Sequence, residues 1–223
     1  MKYLLITAFV LLSAITGHSQ EPFEGRIDYL LVSRDSSIKL LISGFYGEQQ
    51  LFVNMKVLKA PAQGMDVKDE KILLDFRHGF LDRIHDSTRI IQRDFLTGPK
   101  AKRDLPPITR TTDTVRVLGE LATAYATDQF SKEEVKDSVQ TMMKGKVKIW
   151  YANDLLFPVP DSMAMVQMVP LFTNGHVALG STIELEAGPM KLLLTTRAVE
   201  IRKGKLGPAI FRLPEGYKVE LDD

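Results

Sequence analysis

The sequence predicts a mainly β protein: a strongly curved antiparallel sheet or incomplete β-barrel with one or two covering helices. Three observations carry this. Apolar and polar residues alternate along most of the chain, which is the pattern of half-buried strands. About ten such segments occur, and a single sheet that wide must curl or close. Only two stretches carry helical spacing or a helix cap.

The chain opens with Lys2, an apolar run from Tyr3 to Ile15, and the small residues Gly17 and Ser19 around His18. That is the layout of a secretory signal peptide, and the run is shorter than the roughly 20 residues a membrane span needs. Residues 1–19 are therefore expected to be removed, and 20–223 to form a single β-rich domain. Phe23, Gly25, Ile27, Tyr29 and Leu31 alternate with Glu24, Arg26 and Asp28 as a first strand. Ile38 to Ile42 reads as a second, closed by Ser43-Gly44 and Tyr46-Gly47. Leu51, Val53, Met55 and Val57 mark a third. Lys71 to Phe76, Leu81 to Ile84 and Thr88 to Asp94 follow, with His78-Gly79 and Asp86-Ser87 as turns.

Thr97 to Thr114 holds Gly98, Pro99, Pro106 and Pro107 without periodicity and reads as a long loop. Lys100, Lys102 and Arg103 there, partly offset by Asp104, read as a solvated charge run or, alternatively, as a contact for an anionic headgroup or partner. Val115 to Leu118, Ala122 to Ala126 and Val147 to Tyr151 continue the strands. Ser131 and Glu134 form a capping box, Phe130 and Val135 a staple, and Gly145 a stop, so the spacing predicts a surface helix over 131–145. Asp161 to Val169, between Pro160 and Pro170, reads as a second helix whose apolar residues surround its axis, which suggests burial, a covering element, or a strand in place of the helix. His176 to Glu186 and Met190 to Arg202 form a hairpin around Ala187-Gly188-Pro189.

Composition excludes several function classes. There are 29 basic and 28 acidic residues, and loss of Lys2 with the leader makes the two equal. A nucleic-acid partner normally requires a basic excess, so none is expected. Cysteine is absent, which removes disulfides, thiolate chemistry and Cys-ligated metals. An exported, cysteine-free chain fits a bacterial periplasm or cell exterior, held together by packing alone. No transmembrane segment is expected in the mature chain.

Catalytic motifs are scarce. No G-x-S-x-G elbow, Walker loop or G-x-G-x-x-G is present. His78 and His85, seven apart beside Asp75, Asp82 and Asp86, do not match a metal-ligand spacing and read as turn-lining polar residues. No metal and no cofactor is expected. The notable residues are apolar. Met163, Met165 and Met168 cluster within six positions, and methionine repacks around varied ligand shapes. Leu192, Leu193 and Leu194 are apolar on both strand faces, so one face lines a cavity or both are covered. Trp150, the one tryptophan, sits opposite in parity to Ile149 and Tyr151 as a core anchor or rim residue.

Four stretches follow one another along the chain: FEGRIDYLL near the start, VLGELATAY at Val117 to Tyr125, KIWYANDL at Lys148 to Leu155, and LPEGYKVEL at Leu213 to Leu221. With Phe211, Pro214, Gly216, Tyr217 and Lys218 matching a closing F-x-x-P-x-G-Y-K, the chain resembles a group of exported, uncharacterised Bacteroidetes-type proteins. Glu120 departs from the pattern's tyrosine, and 131–145 reads as an insertion in it. The group is similar in expected shape to periplasmic lipoprotein carriers and their outer-membrane receptors, half-open β-barrels with helices over an apolar groove. The resemblance implies that shape and brings no catalytic motif.

The expectation is therefore an exported, non-enzymatic binding or carrier-like protein of the cell envelope. It would hold a lipid, acyl chain or other apolar small molecule against Met163, Met165, Met168, Leu192 and Leu194. Two alternatives stand beside it: a structural or interaction protein of the envelope without ligand, and a carboxylate-dependent hydrolase of envelope glycans or lipids.

Overall fold

The computed structural model describes residues 21–61, 68–96, 108–136, 139–157, 172–173, 175–187 and 190–221. The strands are β1 (Gly25–Ser33), β2 (Lys39–Gly47), β3 (Gln50–Lys59), β4 (Glu70–Asp75), β5 (Phe80–His85), β6 (Ile90–Phe95) and β7 (Ile108–Val117). They continue as β8 (Glu120–Thr127), β9 (Phe130–Lys136), β10 (Val139–Leu156), β11 (Phe172–Thr173), β12 (His176–Ala187), β13 (Met190–Lys203) and β14 (Lys218–Leu221).

Twelve strands form one open sheet in the order β14-β6-β5-β4-β3-β2-β1-β13-β12-β10-β8-β7, with β11 added to β12 and β9 to β10. Pairing is antiparallel except for β14, which runs parallel to β6. The first six strands pair in sequence order as an antiparallel meander. β1 then lies in the middle of the sheet, because its other edge takes β13.

The core lies on one face, called inner here. Ile27, Tyr29, Tyr46, Leu51, Val53, Leu74, Phe76, Leu81, Phe157, Val177 and Leu179 pack into one buried cluster. Phe76, just past β4, meets Phe157, just past β10, edge-on with ring centroids 5.8 Å apart. Five strands separate β4 from β10 in the sheet order. The sheet therefore bends until these rings touch, and Tyr46 packs on Phe157 at 5.3 Å in the same place. Two bulges help: Val199 is extra opposite β1, and Leu179 is extra opposite β10. Each adds local twist to a long strand. Gly25 is required by the close β1–β13 seam, where its φ is +153° and a Cβ would run into the Arg202 carbonyl.

The outer face carries cross-strand rows. One runs Arg26, Phe45, Phe52, Leu73, Asp82, Arg93 and Leu221 across seven strands. Arg26 stacks on Phe45 and binds Asp28 at 2.9 Å; Arg93 stacks on Phe80 and grips Asp82 with two bonds of 2.6 and 2.8 Å. Asp82 is only 2% exposed, so this ion pair is buried on the carboxylate side. Leu73, Ile84 and Ile91 are buried on the same outer face.

A C-terminal strap crosses that face. Past β13, Gly204 donates to the Glu24 carbonyl, and a short 3-10 turn at Pro208–Phe211 sets the Phe211 ring against Gly47. A Cβ at residue 47 would lie 2.6 Å from Phe211 Cζ, so glycine is what lets the ring seat. The chain then reaches the opposite end of the sheet, where Tyr217 donates to Asp86 at 3.0 Å and the Lys218 amide to the Arg89 carbonyl. From there β14 pairs with β6.

Several sequence expectations are corrected. No α-helix occurs among the described residues. The predicted helix over 131–145 is instead β9 and the start of β10, a hairpin pairing Lys136 with Val139 and Phe130 with Gly145. The capping box is a local signal. It loses to a ladder in which β10 is already paired through Met143 to Tyr151 with β12, and the β-branched Val135, Val139 and Thr141 favour extended backbone. The predicted long loop is strand from Ile108 onward, because Thr-rich polar residues suit an exposed end strand. The second strand does not stop at Ser43-Gly44 but runs to Gly47. The expected covering helix over Asp161 to Val169 lies outside the described residues.

Candidate functional site

The β12–β13 hairpin carries the part of the predicted apolar site that is described. Leu192 is opposite Leu185 and Leu194 opposite Ile183, while Leu193 is opposite Glu184. Leu192, Leu193, Leu194, Ile183 and Leu185 are all half-buried. Successive side chains point to opposite faces, so both faces of this stretch are partly covered. Met163, Met165 and Met168 lie outside the described residues.

The adjoining strands are apolar on both faces as well. Ile149, Tyr151 and Ala178 form a second buried cluster, with Ile108, Tyr125 and Val147 packed on it. Trp150 points the other way, half-buried against the main core, with Lys148 Nζ 5.3 Å from its ring centroid. That parity is the one read from sequence, and it makes Trp150 part anchor, part rim.

Among the described residues the middle of the inner face is packed with buried aromatic side chains, Tyr29, Tyr46, Phe76 and Phe157. Tyr29 donates to the Ala178 carbonyl at 3.0 Å, and its hydroxyl is 2.8 Å from that of Tyr46. A carbonyl can only accept, so the Tyr29 proton is committed and Tyr46 donates to Tyr29. Burial pushes both phenols above their ordinary range.

A polar cleft of about 930 Å³ opens at the other end of the sheet. Asn54, Lys56, Lys71, Ile84 and Asp86 line it from the outer face, together with Lys68, Asp69, Glu70 and His85. Lys71 binds Asp86 at 2.5 Å, and that contact is the main reason the Asp86 carboxyl sits below its ordinary range, with the Tyr217 hydrogen bond adding to it. Asp69 accepts from the Val57 amide at 2.8 Å. Sequence reading marked Asp86-Ser87 only as a turn. Nothing in the period-two pattern reveals that a turn aspartate and a residue in the C-terminal motif share a proton.

The histidines are placed as turn-lining groups. His78 Nδ1 is 2.9 Å from Asp75 Oδ2 in the β4–β5 turn, and His85 ends β5 on the far side. Partial burial pushes the Asp75 carboxyl up, but hydrogen bonds from the His78 ring, the His78 amide and Gln50 outweigh it and hold it low. Among the described residues no group of three His, Asp or Glu side chains is arranged around a metal. No helix among them is long and apolar enough to cross a membrane.

No protein-family model matches the chain, and no curated protein does. The closing-motif residues nevertheless have definite places: Phe211 on Gly47, Gly216 at φ +78°, Tyr217 on Asp86, and Lys218 at the start of β14.

Proposed function

We propose that the chain is an exported, non-enzymatic binding or carrier-like protein of the cell envelope that holds an acyl chain or comparable apolar group along the β12–β13 hairpin. In this reading the open sheet is an incomplete barrel, and the segment with Met163, Met165 and Met168 covers the ligand. The observation that supports it most is the run Leu192 to Leu194, half-buried on both faces and paired with Ile183 and Leu185. Each methylene buried there would contribute about 0.8 kcal/mol, so a chain of ten carbons suffices to hold a ligand before ordering costs are subtracted. The carboxylates of the polar cleft give the hydrolase reading little support, since Asp86 is held by Lys71 and Tyr217 and Asp69 by a backbone amide.

Native mass spectrometry or lipid extraction of protein purified from its own envelope tests the proposal. A co-purifying acyl species is expected, together with a change in Trp150 emission on adding fatty acid, lost in Leu194→Asp. Repeated absence of both would overturn it. The reading without ligand would then lead, and the aromatic filling around Tyr29, Tyr46, Phe76 and Phe157 favours it.

A further inference from the structure

We propose that the C-terminal strap, residues 204–217 with β14, is a latched element that undocks from the outer face as a unit while the rest of the sheet stays folded. The inference is independent of the ligand reading.

Three features single the strap out. Its 3-10 turn contains no buried residue, and most of 204–217 is exposed. Segments with few buried contacts open at lower cost than the core. Its terminal strand has four residues, is the one parallel strand among the described residues, and covers only Ile90 to Arg93 of β6. Parallel pairing is the weaker kind per residue. Its own Leu221 stays 61% exposed and Phe95 of β6 59% exposed, so the docked state leaves apolar side chains in water.

Against this, the attachment is concentrated at two points. Phe211 sits on Gly47 at one end of the sheet, and the Tyr217 hydroxyl sits on Asp86 at the other, with Lys71 fixing Asp86 in place. Between these two points in the sheet order lie β3, β4 and β5, whose Leu73 and Ile84 are buried on the outer face. Losing the Tyr217 contact frees the segment that delivers β14, because the Lys218 amide bond to Arg89 follows directly. Undocking then bares the pairing edge of β6, where unpaired N–H and C=O groups are open to another strand.

Hydrogen exchange read by mass spectrometry on the full chain tests this, with Tyr217→Phe and Phe211→Ala beside the natural sequence. Amides of 210–221 are expected to exchange at least about ten-fold faster than those of β1 to β3. Each variant is expected to speed the strap several-fold further and to leave β1 to β3 unchanged. Equal rates in strap and core would overturn the proposal, as would a parallel rise in both on substitution. A fast strap indifferent to Tyr217→Phe would overturn the latch at Asp86.

Discussion

Tyr46 donates its hydroxyl proton to Tyr29, 2.8 Å away, while Tyr29 passes its own to the Ala178 carbonyl. The relay joins β1, β2 and β12 through the centre of the core, where neither ring reaches solvent. It also has a direction, and the direction makes the two residues unequal. Tyr29→Phe strands both the Ala178 carbonyl and the Tyr46 hydroxyl, whereas Tyr46→Phe removes only a donor. Urea unfolding is expected to show a loss of about 2–3 kcal/mol for the first and about 1 kcal/mol for the second.

The same pair sets the alkaline limit. Both phenols keep their protons in the folded state above the ordinary tyrosine range, because burial disfavours the phenolate. The unfolded chain releases them near pH 10. Stability is therefore complete below about pH 10 and falls as pH rises beyond it, since the unfolded state then binds fewer protons. Unfolding midpoints between pH 9 and 11.5 should show the fall begin near 10, and Tyr29→Phe should flatten it.

In acid the corresponding group is Asp35, in the β1–β2 turn. Bonds from Ser33 Oγ at 2.6 Å and from the Ser37 amide and hydroxyl hold its carboxyl down to about 2. The stabilisation is present above about pH 4 and is lost as pH falls towards 2. Carboxyl carbon NMR should find Asp35 titrating below the ordinary aspartate range, and Ser33→Ala should raise it part of the way back, since the two Ser37 bonds remain.

Gly47 and Phe211 provide a packing test. Gly47→Ala places a methyl group 2.6 Å from the Phe211 ring and is expected to cost about 1–3 kcal/mol. In a Phe211→Ala background the same change should cost under about 0.5 kcal/mol, because the obstacle is gone. Equal cost in both backgrounds would place the strain elsewhere.

Asp82 and Arg93 behave differently from surface ion pairs. Asp82→Asn leaves Arg93 half-covered without its counter-charge and is expected to cost about 2–3 kcal/mol, below the range for a fully buried pair because Arg93 keeps some solvent. Lys218 with Glu220, both largely exposed, should give a change within about 0.5 kcal/mol on removal. Thermal unfolding of the two variants side by side distinguishes them.

How far the sequence disclosed this fold depends on whether the deciding force was local. Strand alternation is local, so Phe23 to Leu31, Leu51 to Val57 and the β12–β13 hairpin were legible, as was the parity of Trp150. The 131–145 segment was not. Ser131 and Glu134 meet a helix cap's requirements at short range, and only pairing with a strand brought from elsewhere decides against it. The candidate site was legible in the same measure. Leu192 and Leu194 stood out by being apolar in a run, but Asp86 and Tyr217, far apart in sequence and both polar, gave no periodic signal that they meet.

The position of β1 has a consequence for how the molecule folds. Its partner β2 follows it directly, yet its other edge is closed only by β13, whose residues Leu194 to Lys203 lie far from it in sequence. Until β13 docks, the folding chain carries a half-sheet with an open seam through what will become its centre. Closing that seam joins residues at large sequence separation, and such non-local closure is slow. A helper that shields a bare strand edge therefore has its longest window of work before β13 docks, and a chain cut short upstream of β13 leaves β1 without its second neighbour.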